Sequence, residues 1–175
     1  MVERETVIKE QMKYSGLGDL REAYKFAYDW LRDEYFDVEE SKYTERIKGN
    51  EKELEIIWLA TKKITDYFRI AINIKWEIRG MKDVEVEVNG KKQKMNDFGE
   101  VKITLKGILE KDYESRWGHR TTFYRFLREV YHKYVITRVT EEKKYETIDY
   151  IQEFKEEVKA YFEMTGRRII EGIRA

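Results

Sequence analysis

DYFRIAINIKWEIR, residues 66–79, holds the fold of this chain in one pattern. From Phe68 onward, Phe68, Ile70, Ile72, Ile74, Trp76 and Ile78 fall on one side of an extended backbone. Arg69, Ala71, Asn73, Lys75, Glu77 and Arg79 fall on the other. A period of two predicts a strand with one face toward a core and the other toward water. Fourteen extended residues span roughly 46 Å, so the strand must twist or curve strongly.

The neighbouring segments extend this strand into a sheet. Downstream, GMKD predicts a turn into DVEVEV, with Val84, Val86 and Val88 inward, and Asn89-Gly90 is a favoured two-residue hairpin turn. After a connection, KKQKMNDFG, the segment EVKITLKGILEK sets Val101, Ile103, Leu105, Gly107 and Leu109 on one face, with Gly107 as a bulge or bend. Upstream, ELEIIWLAT alternates Leu54, Ile56, Trp58 and Ala60 with Ile57 and Leu59, a strand covered on both sides. Phe36 to Lys48 is polar and predicts an edge strand ended by Gly49 and Asn50. TVIKEQMKY, residues 6–14, predicts one more strand.

Helical spacing appears in three places. In DLREAYKFAYDWLRDEY, Asp19 caps a helix with Glu22 three residues on, and Leu20, Ala23, Tyr24, Ala27, Trp30 and Leu31 form its apolar stripe. Phe123, Phe126, Leu127, Val130, Tyr131 and Tyr134 recur in a second helix. Tyr145, Ile148, Ile151, Phe154, Val158, Tyr161 and Phe162 recur in a third, with Thr140 as its cap candidate and Gly166 as its stop. A short basic and apolar tail, RRIIEGIRA, residues 167–175, follows. No internal repeat or low-complexity linker divides the chain, so residues 1–175 read as a single domain.

The expected fold is therefore α+β: a curved antiparallel sheet of about five to six strands in a meander, with one N-terminal-side helix and two C-terminal helices over its apolar face. In element order alone this resembles the helix-grip arrangement of START-like proteins, which implies a sheet wrapped around a C-terminal helix. In residue pattern, IKWEIRGMKDVEVEVNGKKQKMN and GEVKITLKGILEKDYESRW are similar to archaeal proteins of no assigned activity, a resemblance that implies a source and no function.

Composition narrows the functions. Thirty-five Lys and Arg balance thirty-five Asp and Glu, so no overall field draws the chain to nucleic acid or anionic membrane. With no cysteine there is no disulfide, thiolate metal site or cysteine nucleophile, which fits a reducing cytoplasm. No apolar run of membrane-spanning length is present. Abundant Glu and Lys suggest a hot environment; the absence of proline suits an AT-rich genome instead.

The chemistry-bearing motifs are few. YSGLGDLREA places Gly-x-Gly between a strand and a helix, as dinucleotide sites do, but Arg21 stands at the third glycine position and Asp19 puts a carboxylate where a phosphate would sit. Two histidines thirteen residues apart define no metal site, and Ser15, Ser41 and Ser115 lie in no nucleophile elbow. No residue set identifies an enzyme or a cofactor site. The polar face of the sheet reads as self-neutralising, with Asn73, Lys75, Glu77 and Arg79 beside Glu85 and Glu87 of the returning strand, and Lys102, Thr104 and Lys106 beyond.

DYESRWGHRTTFYRFLREVYHKY, residues 112–134, keeps the strongest claim to a site, with five Lys and Arg against three Asp and Glu. Arg116, Trp117, His119 and Arg120 precede a helix on which Arg125 and Arg128 lie three apart, a set suited to holding an anion or a partner. The same pattern also fits a solvated helix flank with Trp117 closing the core. Three functions follow: a non-enzymatic binding or assembly domain, with self-association or another protein as partner; an apolar-ligand binding protein or enzyme with a cavity between sheet and C-terminal helices; or an RNA-binding module.

Overall fold

The structure is a computed structural model that describes residues 2–113 and 122–174, with the side chains of residues 122–125, 128, 132 and 134 outside that description. Its elements are β1 (Glu3–Gly18), α1 (Leu20–Asp33), β2 (Asp37–Lys48), β3 (Glu51–Lys63), β4 (Phe68–Val88), β5 (Lys91–Lys111), α2 (Thr122–Tyr131), a π-helical turn (His132–Ile136) and α3 (Thr137–Arg174). The strands form one antiparallel sheet in the order β1-β5-β4-β3-β2. The fold is α+β, with α1 and the long α3 on the apolar face of a five-strand meander.

The alternation at residues 68–78 does what its period dictates: Ile70, Ile74, Trp76 and Ile78 are completely buried. Beside them lie Ile56, Trp58 and Ala60 of β3 and Val101, Ile103 and Leu105 of β5. Aromatic side chains carry the helices onto this face. Tyr24 of α1 meets Trp58 edge-on at 4.7 Å, and Trp30 meets Phe154 of α3 at 5.3 Å. Each large side chain so buried contributes roughly 1.5–3 kcal/mol.

Several expectations are corrected. GMKD does not reverse the chain. β4 runs through it, and the register with β5 is the same on both sides, with Arg79 opposite Glu100 and Lys82 opposite Asp97. The strand bends instead: Gly80 has φ +60°, and Gly99 on β5 lies so close that a Cβ there would sit 2.9 Å from the Arg79 carbonyl oxygen. Two glycines facing each other let the backbones approach and kink without ending the ladder. KKQKMNDFG is therefore strand as well, and β4 and β5 extend as a bent arm whose Asn89-Gly90 tip, with φ values of 52° and 75°, is the expected tight hairpin turn. The bulge expected at Gly107 lies opposite it, between Thr6 and Ile8 of β1. Gly107 itself makes room for α3, since a Cβ there would meet Ile8, Thr147 and Ile151 at 3.0–3.2 Å.

The remaining corrections concern the helices. Thr140 is not a cap: it is buried within a helix that continues from α2 through the π-helical turn into α3. No Gly or Pro occurs between Thr122 and Thr165 to break that helix, and the π turn absorbs the phase change between the two apolar stripes. Gly166 is not a stop. It lies where α3 crosses β1, and a methyl there would overlap the Tyr14 hydroxyl. Residues 167–174 are accordingly helix rather than tail, with Ile169 buried and Gly172 against Val88 of the arm.

Candidate interface and surface cleft

Most of α3 buries one side, Thr147, Ile151, Phe154, Val158, Phe162, Gly166 and Ile169 recurring every three or four residues against the sheet. The helix behaves differently toward its N-terminal end. Phe126, Leu127, Val130 and Tyr131 of α2 and Val135 of the π turn are exposed, Phe126 by 61%, and Tyr145 one helical stretch later by 65%. Positions 126, 127, 130 and 131 share one side of a helix, so these are a stripe and not scattered apolar residues. The main packing partner of α2 among the described elements is the π turn. An apolar stripe on a helix gains its stabilisation from being covered.

Of the residues singled out from sequence, Arg116, Trp117, His119 and Arg120 lie outside the described residues. Arg125 and Arg128 lie on α2, with the helical backbone the spacing predicted, their side chains again outside the description. What the sequence did mark is the stripe itself: Phe126, Leu127, Val130 and Tyr131 have helical spacing, and the expectation that they face the core is the part that fails. The signal that could have separated exposed from buried stripe is the flank, because α2 carries Arg125, Arg128 and Glu129 close beside the apolar positions.

The Gly-x-Gly segment resolves as strand. Gly18 pairs with Asn96 on an antiparallel neighbour, and a Cβ on it would lie 2.9 Å from Phe98. The start of α1 is already occupied: the Leu20 amide donates to Asn96 Oδ1 at 3.0 Å and the Glu22 amide to Asp19 Oδ1 at 3.2 Å. That leaves the first turn capped by protein groups, with a carboxylate at the place a phosphate would need.

Beside this helix start lies a cleft of about 930 Å3, between α1, the β2–β3 pair and the bent arm. Its apolar floor includes Leu54, Ile56 and Met81, all buried, and its rim carries Asp19, Glu22, Glu45 and Glu85 with Arg21 and Lys94. A chain of contacts holds the arm in place. Lys52 Nζ reaches Asp83 Oδ2 at 2.7 Å, Asn96 Nδ2 donates to Asp83 Oδ1 at 3.0 Å, and Asn96 takes the Leu20 amide. Nearby, the Tyr24 hydroxyl donates to Glu40 Oε2 at 2.6 Å, and burial together with that carboxylate pushes the phenol up to about 12.

The outer face of the sheet neutralises itself, through partners other than those expected. Glu77 meets Lys75 at 3.4 Å and Lys102 at 3.6 Å, and Glu55 meets Lys75 at 3.5 Å as well as Lys42. Glu85 and Glu87 are not beside Glu77, because β4 does not turn back at Gly80. At the opposite end, the buried Glu110 carboxylate is held by Arg4 Nε at 2.9 Å and Arg69 Nε at 2.5 Å, with Arg69 over the Tyr113 ring. Lys62 donates to the Tyr150 hydroxyl at 2.5 Å and lies within 6 Å of the Tyr35, Phe36 and Tyr150 rings, a cage filled by its own cation.

No helix among the described residues is long and apolar enough to cross a membrane, and no group of three or more acidic or histidine side chains among them could hold a metal ion. Comparison with protein-family models, with curated proteins and with solved structures finds no match to this chain.

Proposed function

We propose that this chain is a non-enzymatic binding and assembly domain of the cytoplasm whose working surface is the exposed stripe of α2 and the helix that continues from it. The observation that carries the reading is the row Phe126, Leu127, Val130, Tyr131 and Val135, exposed along one stretch of a helix whose later turns bury a regular stripe against the sheet. A convex apolar helix face is suited to a protein groove or another helix. It is not suited to enclosing a small molecule, and the sheet-to-helix space is filled by Trp58, Trp76, Phe154 and Phe162, all buried. An RNA reading would act through Arg116, Trp117, His119, Arg120, Arg125 and Arg128, and the balanced charge of the chain gives it no overall attraction to a phosphate backbone.

The test is a paired substitution, Leu127→Glu with Val130→Glu, in an affinity-tagged full chain expressed in its source cells. Both positions are exposed, so the unfolding midpoint should move by no more than about 0.5 kcal/mol in stability. The native chain should copurify with a stoichiometric protein, either a second copy or another chain, and the substituted chain should lose it. Equal recovery of that protein by both chains refutes the reading.

A further inference from the structure

We infer that the bent arm is a docking edge for an extended segment of another protein, one that alternates lysine or arginine with valine-like residues and joins the sheet as an added strand beside β4. The surface is built from other residues than the α2 stripe and goes beyond the function proposed for it. Strand pairing exposes the edge. β3 leaves β4 at Lys52, opposite Met81, whereas β4 stays paired with β5 as far as Val88, opposite Lys91. From Asp83 to Val88, β4 therefore has a neighbouring strand on one side only, and among the described residues no backbone hydrogen bond reaches its other side.

The turn at the tip fixes which groups face outward. It closes on Val88 and Lys91, and hydrogen-bonded pairs alternate with non-bonded ones along an antiparallel ladder. Val84, Val86 and Val88 thus turn their backbone groups to β5, and Asp83, Glu85 and Glu87 turn theirs to the open side. An open row of this kind is a template for another strand. The other edges are poorer templates: register shifts break β1 twice and β2 once, and on the far side of the arm β5 carries Lys91, Lys92 and Lys94. Register along the arm is unbroken from Lys82 to Val88. Room for the strand is the cleft of about 930 Å3, which Asp83, Val84 and Glu85 line from the arm and Lys52 and Leu54 from β3.

Charge and shape choose the occupant. A strand beside β4 meets Glu85 and Glu87 on one face and Val84 and Val86 on the other. Both glutamates are exposed, and among the described residues neither has an ion pair. β5 already answers the same row with cations, Lys94 standing opposite Glu85 and Lys92 opposite Glu87. Opposite charges across neighbouring strands favour pairing and like charges oppose it, so a strand on the open side is basic at alternate positions. Main-chain hydrogen bonds would hold it and the alternate side chains would select it.

The probe is an end-blocked synthetic peptide, KVKTKVK, added to the isotopically labelled full chain. In the free chain the amides of Glu85 and Glu87 should exchange fast, and saturating peptide should slow them about tenfold or more, while those of Val84 and Val86 are protected throughout. Glu85→Gln should weaken the peptide about threefold. Glu85→Pro also removes the outward N–H, without breaking a β4–β5 bond, and should weaken it by about a further fivefold to tenfold. Binding that leaves the Glu85 and Glu87 amides unchanged, or equal affinity for the Gln and Pro chains, overturns the added strand. No saturable binding up to about 1 mM overturns it as well. Equal binding of EVETEVE overturns the selection for cations. Protection of the two amides that grows with chain concentration, in the absence of peptide, assigns the edge to a second copy and overturns a separate partner.

Discussion

Placing alanine at Gly166 tests how α3 lies on the sheet. In an exposed helix, Gly→Ala stabilises by about 1 kcal/mol through backbone entropy. Here the added methyl overlaps the Tyr14 hydroxyl and comes 3.2 Å from the Leu17 carbonyl oxygen. That hydroxyl has little freedom to yield. It donates to Leu17 O at 2.6 Å, and its ring stacks on Phe162 with centroids 5.1 Å apart. Overpacking of this kind costs about 1–3 kcal/mol, and losing the hydrogen bond adds about 1 kcal/mol. Gly166→Ala should therefore destabilise by about 1–3 kcal/mol net. In a Tyr14→Phe background the obstructing oxygen is gone and the nearest ring carbon lies 3.6 Å away, so the same substitution should be neutral or stabilising by up to about 1 kcal/mol. Urea unfolding of the four chains at 25 °C gives the coupling, expected at about 1.5–3 kcal/mol. Additivity within about 0.5 kcal/mol, or a stabilising Gly166→Ala in the native background, would refute the crossing of α3 over β1.

Other perturbations probe the remaining parts. Gly99→Ala puts a Cβ 2.9 Å from the Arg79 carbonyl oxygen, with Gly80 Cα at 3.2 Å, and should cost about 2 kcal/mol by chemical denaturation; a cost below about 0.5 kcal/mol would mean the two strands do not approach at the bend. Glu110→Gln removes the charge that holds both Arg4 and Arg69 and should cost about 1–3 kcal/mol, whereas Arg4→Ala, at a far more exposed partner, should cost less than about 1 kcal/mol. Tyr24 ionises at about 12 in the folded chain against 10.0 ordinarily, so its contribution to stability is full below pH 10 and disappears as pH rises toward 12. Tyr24→Phe should remove the corresponding late component from a phenolate absorbance titration and flatten the loss of stability across that window, and an unchanged titration would contradict the Tyr24–Glu40 hydrogen bond.

Strand alternation was legible because it is a local property: Phe68 to Ile78 could face a core in only one way, and their burial follows. The ends of elements were less so. Gly80, Gly99 and Gly166 all read as breaks, since glycine in a sequence marks either a turn or a close approach, and only the neighbour across the gap decides which. Gly80 needs Gly99 opposite it and Gly166 needs Tyr14, partners respectively 19 and 152 residues away. The Glu77 ion pairs were misassigned for the same reason, because removing the turn at Gly80 changes which strand lies alongside. The interface was half visible. Helical spacing found Phe126, Leu127, Val130 and Tyr131, but periodicity reports that a face is apolar and is silent on whether the covering surface belongs to the same chain.

The reactivity of a thiol at Val130 tests that last point most directly. A Val130→Cys chain, its only cysteine, should react with a maleimide at the rate of an exposed thiol when dilute, at about 0.1 μM. It should become protected at least tenfold at higher concentration of the chain or in extract of the source cells, the mark of a stripe covered by a second copy or by another protein. A rate that stays at the exposed value in both would contradict the claim that this helix face is an interface.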